Sequence, residues 1–476
     1  MIWFELLSHI LLVLALGYYL ATNLQWYSYR IERVLFHHTK YQWHLIYFLI
    51  PLLAYYFTGI YFWIYFYFAY LPSLWLWQRK LDRKLVFTGR IKRFFALLTS
   101  LAIFQDLLLL ARGNESFGVI LPLAVAVIGS MAIEKVLIHG YRLQAKRKLE
   151  RMPDLIVVGV TASYGKTSIK NFIAQIVGRE KRVYATPRSV NTLGGVMKDI
   201  NESLPEDTEV YVVEMGARGP GDIAEIAGFV EPHFAVVGVI GPQHIEYFKS
   251  LERIRNTKME ILSSPRLRHA WVHVSAKVKP DGRVTLFGDE IENLVSTLEG
   301  VDFDLALPEG PIHLHLPILG AFNAVNVTAA LHVAAALKIP YEKGARYAEA
   351  LEAVPHRLQR IDAGGKIILD DSFNGNIEGM LASFELAAQH PGRKILVTPG
   401  LVEADIELNE KVAERADEIF DLVIVTGRVN RPVFKRRISG EKLRFLDEKS
   451  KMEQMLAEET AAGDLILFAN DAPNFI

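Results

Sequence analysis

The sequence VVGVTASYGKTSIK, residues 157–170, decides how the rest of the chain is organised. Residues 155–160 form an apolar run of strand length, and the small-residue turn after it ends in Gly165, Lys166 and Thr167. The residues after this turn have the spacing of a helix. A strand, a glycine-containing turn and a helix N-terminus together present backbone N–H groups to a phosphate. The stretch therefore predicts a phosphate-binding loop.

The side chains of this loop indicate what a bound phosphate would contact. Lys166 would reach the outer phosphates of a nucleotide, the Thr167 hydroxyl would hold Mg²⁺, and Ser163 would lie against the phosphates. The strict pattern has another glycine five residues before Gly165, where this chain has Val160. The sequence is thus a variant of the pattern, and the alternative is a turn that carries a lysine without binding a nucleotide.

Composition narrows the class of protein. The 476 residues leave room for about three domains. Equal numbers of basic and acidic residues, 53 of each, give no bias toward nucleic acid. The chain has no cysteine, which excludes disulfides, thiolate metal sites and cysteine nucleophiles. Hydrophobic residues make up 51% of the chain, and their excess lies before residue 140.

The apolar segments before the phosphate-binding loop predict a membrane-spanning region. Residues 2–22 contain one acidic side chain, and residues 43–77 contain no Lys, Arg, Asp or Glu. As a single helix the second segment would be about 52 Å long, against about 30 Å of hydrocarbon. Two short spans that turn near Thr58 and Gly59 fit better. Two further apolar segments, 94–111 and 117–138, bring the number to about five.

The basic residues test this number of spans. With five spans, every segment rich in Lys and Arg lies on one side of the bilayer, which the positive-inside rule makes the cytoplasmic side. With four spans, Arg30, Arg33 and Lys40 would lie outside. Five spans are therefore favoured. They predict a multi-pass protein of the inner (cytoplasmic) membrane with its catalytic domains in the cytoplasm.

Two features of the spans have a structural and a functional interpretation. Sixteen of the 35 residues from 43 to 77 are aromatic, more than interfacial belts need. They pack against lipid and neighbouring helices, or they form a wall for a lipid-linked substrate. Asp106 lies in an otherwise apolar span, where an acid is a packing or pairing group or marks a functional site.

From Asp154 onward, short apolar runs alternate with helical segments. This pattern predicts an α/β fold with a doubly wound, mainly parallel sheet. The predicted strands are 155–160, 183–186, 210–215 and 235–240, and the predicted helices are 166–177, 221–229 and 251–262. In such sheets, ligands bind beyond the carboxyl ends of the strands.

Two polar residues follow strands at this edge of the predicted sheet. Glu214 lies at the end of the third strand, and His244 lies in the loop after the fourth. Both are candidate Mg²⁺ ligands beside the phosphate-binding loop, because carboxylate is a hard oxygen donor. Imidazole is a less usual ligand for Mg²⁺, and the alternative for His244 is a surface or core histidine.

Eight motifs follow one another along residues 154–476. They are TASYGKTS, SVNTLGG, VVEMGA, GPQHIEYF, Lys258-x-Glu260, GAFNAVNVTAA, HRLQR and DDSFNGN. This order resembles the Mur ligase superfamily, and is closest to its muramoyl-tripeptide D-alanyl-D-alanine ligase branch. The resemblance implies a P-loop central ATPase domain, a Rossmann-like C-terminal domain, and a ligase that uses ATP and Mg²⁺.

The resemblance also implies roles for single residues. Gly165, Lys166 and Thr167 match the loop that binds ATP in the family, and Glu214 and His244 match its Mg²⁺ ligands. Lys258 matches a lysine that is carbamylated in several members and then holds a second Mg²⁺. A carbamate forms only on a neutral amine, so this chemistry requires a lowered pKa, as burial can give. The alternative is a lysine on a helix surface.

The remaining matches surround the nucleotide and the acceptor. Asn191 and Thr192 match positions that approach the acceptor and the metal, and Asn323 and Asn326 match asparagines beside the adenine. At the start of the C-terminal domain, Arg357 and Asp371 match nucleotide contacts, and Asn374 lies in the matching DDSFN loop.

Three domains are predicted: a transmembrane helical domain at 1–150, a central ATP-binding domain at 151–354, and a C-terminal Rossmann-like domain at 355–476. The predicted strands of the last domain are 367–371, 395–398, 422–426 and 465–468. In the family this domain moves over the ATP and brings the incoming amine. A hinge near Val354 and Pro355 fits that motion.

Several departures from the family limit what can be carried over. Ala162 stands where the family usually has glycine, Ile377 stands where the branch commonly has proline, and residues 397–405 differ from the branch. Membrane spans stand where the peptidoglycan enzymes have a soluble domain that holds a UDP-sugar. The ligase chemistry is therefore expected, whereas the UDP-muramoyl substrate is not carried over from the resemblance.

The expected function is a membrane-anchored ligase that activates a carboxylate as an acyl phosphate and joins it to an amine. Its expected partners are ATP, a UDP-linked or lipid-linked carboxylate, an amino acid or dipeptide, and membrane lipid, with no nucleic acid. Two alternatives remain open: a membrane protein that uses ATP as a switch or for transport, and a catalytically silent ligase-like partner.

Overall fold

The computed structural model describes residues 2–470, apart from 28, 30, 32, 33, 35–40, 82, 83, 114–116, 243, 244, 374, 402 and 403. The chain forms two compact units, Met1–Arg142 and Leu143–Ile476.

Three long helices dominate the first 150 residues. They are Ile2–Trp26, Gly89–Ala111 and Ile120–Glu150. By length and composition, each is long and apolar enough to cross a membrane. The second of them begins at Thr88, whose hydroxyl accepts a hydrogen bond from the Ile91 N–H and so satisfies a donor that the helix leaves unpaired.

The aromatic segment forms a helical hairpin that turns at residues 58–60, where the sequence predicts a turn. Its arms consist of the α-helices Gln42–His44 and Ile50–Phe57, then Tyr61–Tyr65 and Leu71–Arg79. One π-helical turn interrupts each arm, Leu45–Leu49 and Phe66–Tyr70, just before Pro51 and Pro72 respectively. Proline lacks an N–H and clashes with a carbonyl of the preceding turn, and a wider π-turn relieves this clash. The crossing of a bilayer by these arms stays a prediction.

A buried polar pair lies inside the first unit. His9 Nδ1 is 2.8 Å from Asp106 Oδ2, and neither side chain is exposed. The rings of Tyr55 and Phe117 pack against the His9 imidazole, with centroid distances of 5.9 and 5.4 Å. Asp106 is thus a pairing group, as the structural interpretation of this acid expects.

The central sheet of the second unit has six parallel strands in the order β2-β3-β1-β4-β5-β6. They are β1 (Ile156–Thr161), β2 (Val183–Ala185), β3 (Val210–Glu214), β4 (Phe234–Val237), β5 (His269–His273) and β6 (Val284–Phe287). The four predicted strands are confirmed as β1 to β4, with ends that differ slightly. β5 and β6 were not anticipated.

Helices cover both faces of this sheet, because successive side chains of a buried strand point to opposite sides. Val158 and Val160 of β1 lie in the core on the side of helices Lys166–Val177 and Phe322–Ala336. Val157 lies in the opposite core. The helices of that second face include Leu193–Glu202, Asp222–Val230 and Leu251–Met259.

A small antiparallel sheet follows the central sheet in the chain and was not anticipated. It consists of β7 (Ile291–Thr297), β8 (Gly300–Leu305) and β9 (Ile312–Leu316). Its buried residues, among them Phe303 and Leu314, pack into the same core as helix Phe322–Ala336.

The last sheet has six strands in the order β10-β11-β15-β12-β13-β14, all parallel except the β10–β11 pair. They are β10 (Gln359–Ala363), β11 (Lys366–Asp371), β12 (Lys394–Thr398), β13 (Leu422–Val425), β14 (Leu443–Phe445) and β15 (Leu465–Ala469). The four predicted strands correspond to β11, β12, β13 and β15; the edge strands β10 and β14 were missed. The remaining helices are Ile245–Phe248, Tyr341–Ala348, Ile377–Ala388, Ile406–Ile419, Arg431–Arg437 and Met452–Glu459.

The buried His233 makes the stability of the second unit pH-dependent. Its Nδ1 accepts a hydrogen bond of 3.0 Å from the Val157 N–H of β1. Burial lowers its pKa to about 4, and the nearby Arg266 and Arg268 act in the same direction. The unfolded histidine has its ordinary pKa of about 6.5. The unfolded state therefore binds more protons between these values, and stability falls as the pH falls through this window.

We expect His233→Asn, which keeps a hydrogen-bond acceptor but does not titrate, to remove this dependence. On lowering the pH from 7 to 4.5, the wild-type protein should lose about 2 to 3 kcal/mol more stability than the variant. Pulse proteolysis of the full chain in urea at both pH values measures the difference. Equal losses in the two proteins would contradict the assignment.

Candidate nucleotide and metal site

The phosphate-binding loop connects β1 to helix Lys166–Val177, and neighbouring loops fix its shape. The backbone N–H of Ser163 donates to the carbonyl of Val239 at 2.8 Å, in the loop after β4. The Ser163 hydroxyl donates to the carbonyl of Gly241 at 3.0 Å. Both donors of Ser163 are thus used within the protein, and its predicted contact with phosphate stays a prediction.

Gly165 starts the helix in a conformation that favours glycine. Its φ is +80°, in the left-handed region that other residues rarely adopt. A Cβ atom here would lie 2.4 Å from Oδ1 of Asn326. The loop therefore needs glycine for two independent reasons, its backbone angle and the close approach of Asn326.

Lys166 folds back over the loop. Its Nζ donates to the carbonyls of Ala162 and Ser163 at 2.8 and 2.9 Å. Burial lowers its pKa to about 8, Glu214 opposes this shift, and the positive charge of Arg357 adds to it. A bound phosphate would favour the protonated form by the same electrostatics, because an opposite charge nearby favours the charged state.

Glu214 joins the phosphate-binding loop to the loop after β2. Its Oε2 accepts a hydrogen bond from the Thr167 hydroxyl at 2.9 Å, and its Oε1 accepts one from Nδ2 of Asn191 at 3.1 Å. The side chain is almost fully buried. Three predicted residues therefore meet at one carboxylate.

The oxygen donors beside the phosphate-binding loop are of a kind that fits Mg²⁺. Among the residues that the structure describes, no three His, Asp or Glu side chains gather to hold a metal. Mg²⁺ is usually bound by one or two carboxylates together with the phosphates of a substrate. The Glu214 carboxylate and Thr167 hydroxyl beside a phosphate-binding loop are of this kind.

Lys258 lies on helix Leu251–Met259 and is only 4% exposed. Burial lowers its pKa to about 7, and the charge of Lys166 adds to this shift, while Glu260, Asp222 and Glu214 oppose it. The alternative of a surface lysine is excluded by this burial. A neutral amine, which carbamylation requires, is thus available near neutral pH.

Two asparagines of helix Phe322–Ala336 approach the loop from the other side. Nδ2 of Asn326 donates to Oδ1 of Asn323 at 2.9 Å, and Nδ2 of Asn323 donates to the carbonyl of Leu319 at 2.7 Å. Both side chains are buried. Asn326 contacts the phosphate-binding loop itself, through its approach to Gly165.

Two more predicted residues are Arg357, in the turn before β10, and Asp371 of β11. Arg357 donates to the carbonyl of Phe373, and its charge acts on Asp371 and Glu214. Burial lowers the pKa of this guanidinium. Asp371 is buried at the carboxyl end of β11. Arg357 therefore interacts electrostatically with the Glu214 carboxylate of the central sheet.

For three predicted site residues, Thr192, His244 and Asn374, the structure gives no contact with the other residues of the site. Thr192 caps helix Leu193–Glu202, where its hydroxyl accepts a hydrogen bond from the Gly195 N–H. His244 and Asn374 lie outside the described residues, so their roles stay predictions. One residue of the site was missed: Lys170, whose Nζ lies 3.6 Å from Glu214 Oε2. Its position one turn after Lys166 was the available signal.

Residues 160–334 match the family model of the Mur ligase middle domain. This match covers the central part of the chain. The Bacillus subtilis UDP-N-acetylmuramoyl-tripeptide–D-alanyl-D-alanine ligase is 28% identical over 335 residues, which are 66% of this chain and 72% of that relative. The Escherichia coli enzyme of the same name is 29% identical over 328 residues, 64% of this chain and 72% of that relative.

Solved structures agree with this Mur ligase fold. The MurF ligase from Thermotoga maritima in complex with ADP superposes with a TM-score of 0.60 at 25% identity, and the match covers 70% of this chain and 80% of that one. An Acinetobacter baumannii ligase named for the D-alanyl-D-alanyl addition gives 0.63 at 23% identity over 70% of this chain and 76% of that one, which shows the fold alone.

Gly165 offers a direct test of the loop. We expect Gly165→Ala to weaken ATP binding by about tenfold or more, because a side chain strains the left-handed backbone and meets Asn326. Gly228→Ala is the matched control, since a Cβ there meets no atom within 4 Å. Isothermal titration calorimetry with ATP and Mg²⁺ measures both. Unchanged affinity in Gly165→Ala would show that the loop does not hold the nucleotide.

Proposed function

We propose that this protein is a Mur ligase, a membrane-anchored, ADP-forming acid–amino-acid ligase of peptidoglycan-precursor or related envelope synthesis. The observation that carries the proposal is the Glu214 carboxylate, which binds Thr167 of the phosphate-binding loop and Asn191 of the next loop. This arrangement supports a metal-binding oxygen between a nucleotide at the phosphate-binding loop and an acceptor near Asn191.

The reaction follows from the weakness of a carboxylate as an electrophile. Transfer of a phosphoryl group from ATP to the carboxylate gives an acyl phosphate, which the amine attacks with loss of phosphate to form an amide. Bound Mg²⁺ neutralises charge on the moving phosphoryl group. Lys166 supplies positive charge beside the same phosphates, and Glu214 and Thr167 would hold the metal. The reaction needs no protein nucleophile.

The substrates are proposed from the relatives. The Bacillus subtilis and Escherichia coli proteins are named for UDP-N-acetylmuramoyl-tripeptide and D-alanyl-D-alanine. We assign to this chain the same pair, or a lipid-linked analogue of the carboxylate with an amino acid or dipeptide as the amine. The lipid-linked form is favoured by three helices that are long and apolar enough to cross a membrane.

An assay of the detergent-solubilised full chain tests the function. The protein receives ATP, Mg²⁺ and each pairing of UDP-linked or lipid-linked carboxylates with amino acids and dipeptides, and phosphate release is compared with product mass. An amide from one pairing supports the ligase and identifies the acceptor class. Acceptor-independent phosphate release without any amide would favour an ATP-driven switch or transporter, and neither signal would favour a silent partner.

Lys166→Ala should abolish turnover, because the phosphates lose their nearest positive charge. The far-ultraviolet circular dichroism spectrum should stay that of the wild type, since the apolar cores on both faces of the central sheet do not include Lys166. Retained amide formation in a folded variant would refute the assignment of the phosphate-binding loop.

Lys258 should make activity depend on dissolved CO₂. We expect wild-type turnover to fall in CO₂-free buffer and to recover on addition of bicarbonate, because the neutral amine then forms a carbamate. Lys258→Glu carries a permanent carboxylate, so its activity should not respond to bicarbonate. An equal response of both proteins would contradict carbamylation.

The lack of cysteine makes the topology easy to test. Single cysteines at Thr58, Gly113 and Lys84 can be labelled in intact cells with a membrane-impermeant maleimide. Five spans predict labelling at Thr58 and Gly113 from outside and protection at Lys84. A cysteine at Lys40 distinguishes the two numbers: it is protected with five spans and labelled with four.

A further inference from the structure

Lys170 is a buried lysine that the proposed reaction does not use. It follows Lys166 by one helical turn and is only 1% exposed. Lysine is almost never fully buried unless its charge is paired. Its ammonium group therefore needs partners inside the central domain that compensate its charge and accept its hydrogen bonds.

The ammonium group of Lys170 ties three elements together. Its Nζ donates to the backbone carbonyls of Thr186 and Arg188, both at 2.6 Å. It also lies 3.6 Å from Oε2 of Glu214. An ammonium group has three N–H donors, and the two carbonyls and the carboxylate match that number. The two carbonyls belong to the loop after β2, and the carboxylate belongs to β3.

In the loop after β2, an unusual backbone conformation at Arg188 directs the carbonyl of this residue toward Lys170. Arg188 has a φ of +47°, in the left-handed region, which costs a residue with a side chain about 1 to 3 kcal/mol. The hydrogen bond from Lys170 to the Arg188 carbonyl holds this conformation. Three residues later, Asn191 donates to the other oxygen of Glu214, and its own carbonyl accepts from the Gly216 N–H at 2.8 Å.

We propose that Lys170 is a positioning residue for the acceptor side of the site. It fixes the loop 186–192 and the Glu214 carboxylate to the helix of the phosphate-binding loop, so that the acceptor and the metal-binding oxygens keep one geometry. The inference rests on the proposed function, which places the acceptor near Asn191. Lys170 acts through Glu214 and the loop rather than on the nucleotide.

A lysine with similar partners elsewhere supplies a matched control. Lys394 donates to the backbone carbonyls of His390 and Gly392 at 3.4 and 2.9 Å and lies 3.9 Å from Asp421. It belongs to β12, at the edge of the third sheet opposite the strand ends that carry Asp371. Lys170→Met and Lys394→Met therefore remove similar interactions, one inside the site and one outside it.

The test uses binding and hydrogen exchange on the full chain, and neither requires turnover. In Lys170→Met, ATP affinity without Mg²⁺ should stay within about twofold of the wild type. The gain in affinity on adding Mg²⁺ should fall by about tenfold or more, because the buried ion pair that fixes the Glu214 carboxylate is lost. Amides of residues 186–192 should exchange by about tenfold or more faster. Lys394→Met should change neither quantity.

Wild-type values for both quantities in Lys170→Met would overturn the proposal, and so would the same losses in Lys394→Met. If Lys170→Met does not fold, Lys170→Arg keeps the charge with a different donor geometry. It should raise the KM of the acceptor and leave that of ATP within about twofold; an unchanged acceptor KM overturns the proposal. Loss of the ligase reaction in the wild type would refute the proposed function while leaving the exchange result to decide the role of Lys170.

Discussion

One buried carboxylate, that of Glu214, connects the parts of the site. Because β3 lies between β2 and β1, the end of β3 faces the loops of both neighbours. One oxygen of Glu214 accepts a hydrogen bond from Thr167, which directly follows the phosphate-binding loop, and the other accepts one from Asn191 in the loop after β2. A group buried in a medium of low dielectric interacts strongly with its partners. The order of the strands therefore determines which side chains meet at the Glu214 carboxylate.

Elements of this fold can be predicted from the sequence where a local pattern is compatible with only one structure. Helix Lys166–Val177 has the predicted ends, because Gly165 supplies the left-handed residue that starts it. Buried parallel strands read as continuous apolar runs, which is why β1 and β3 were found. The meeting of Glu214 and Asn191 depends on strand order, which no local pattern contains. Lys170 was missed because a lysine on a helix reads as a solvated residue, and its burial arises only when β2 and β3 pack against that helix.

The small sheet shows a different kind of miss. β8 and β9 alternate apolar and polar residues, and the polar side forms cross-strand pairs: His315 with Asp302 at 2.9 Å and His313 with Asp304 at 2.8 Å. This period of two is a clear strand signal. These strands lack the uniform apolar runs that mark the buried parallel strands of the neighbouring sheets. The helical hairpin was found for the opposite reason, since chain length and bilayer thickness left few arrangements.

The pair of His9 and Asp106 also constrains how the first unit is made. The two residues are separated by 97 positions, so the ribosome adds the second about 5 to 20 s after the first at ordinary rates of synthesis. During that interval the imidazole has no carboxylate to meet. Helix Ile2–Trp26 can therefore reach its final packing only after helix Gly89–Ala111 has emerged. The first helix to be synthesised therefore reaches its final packing late.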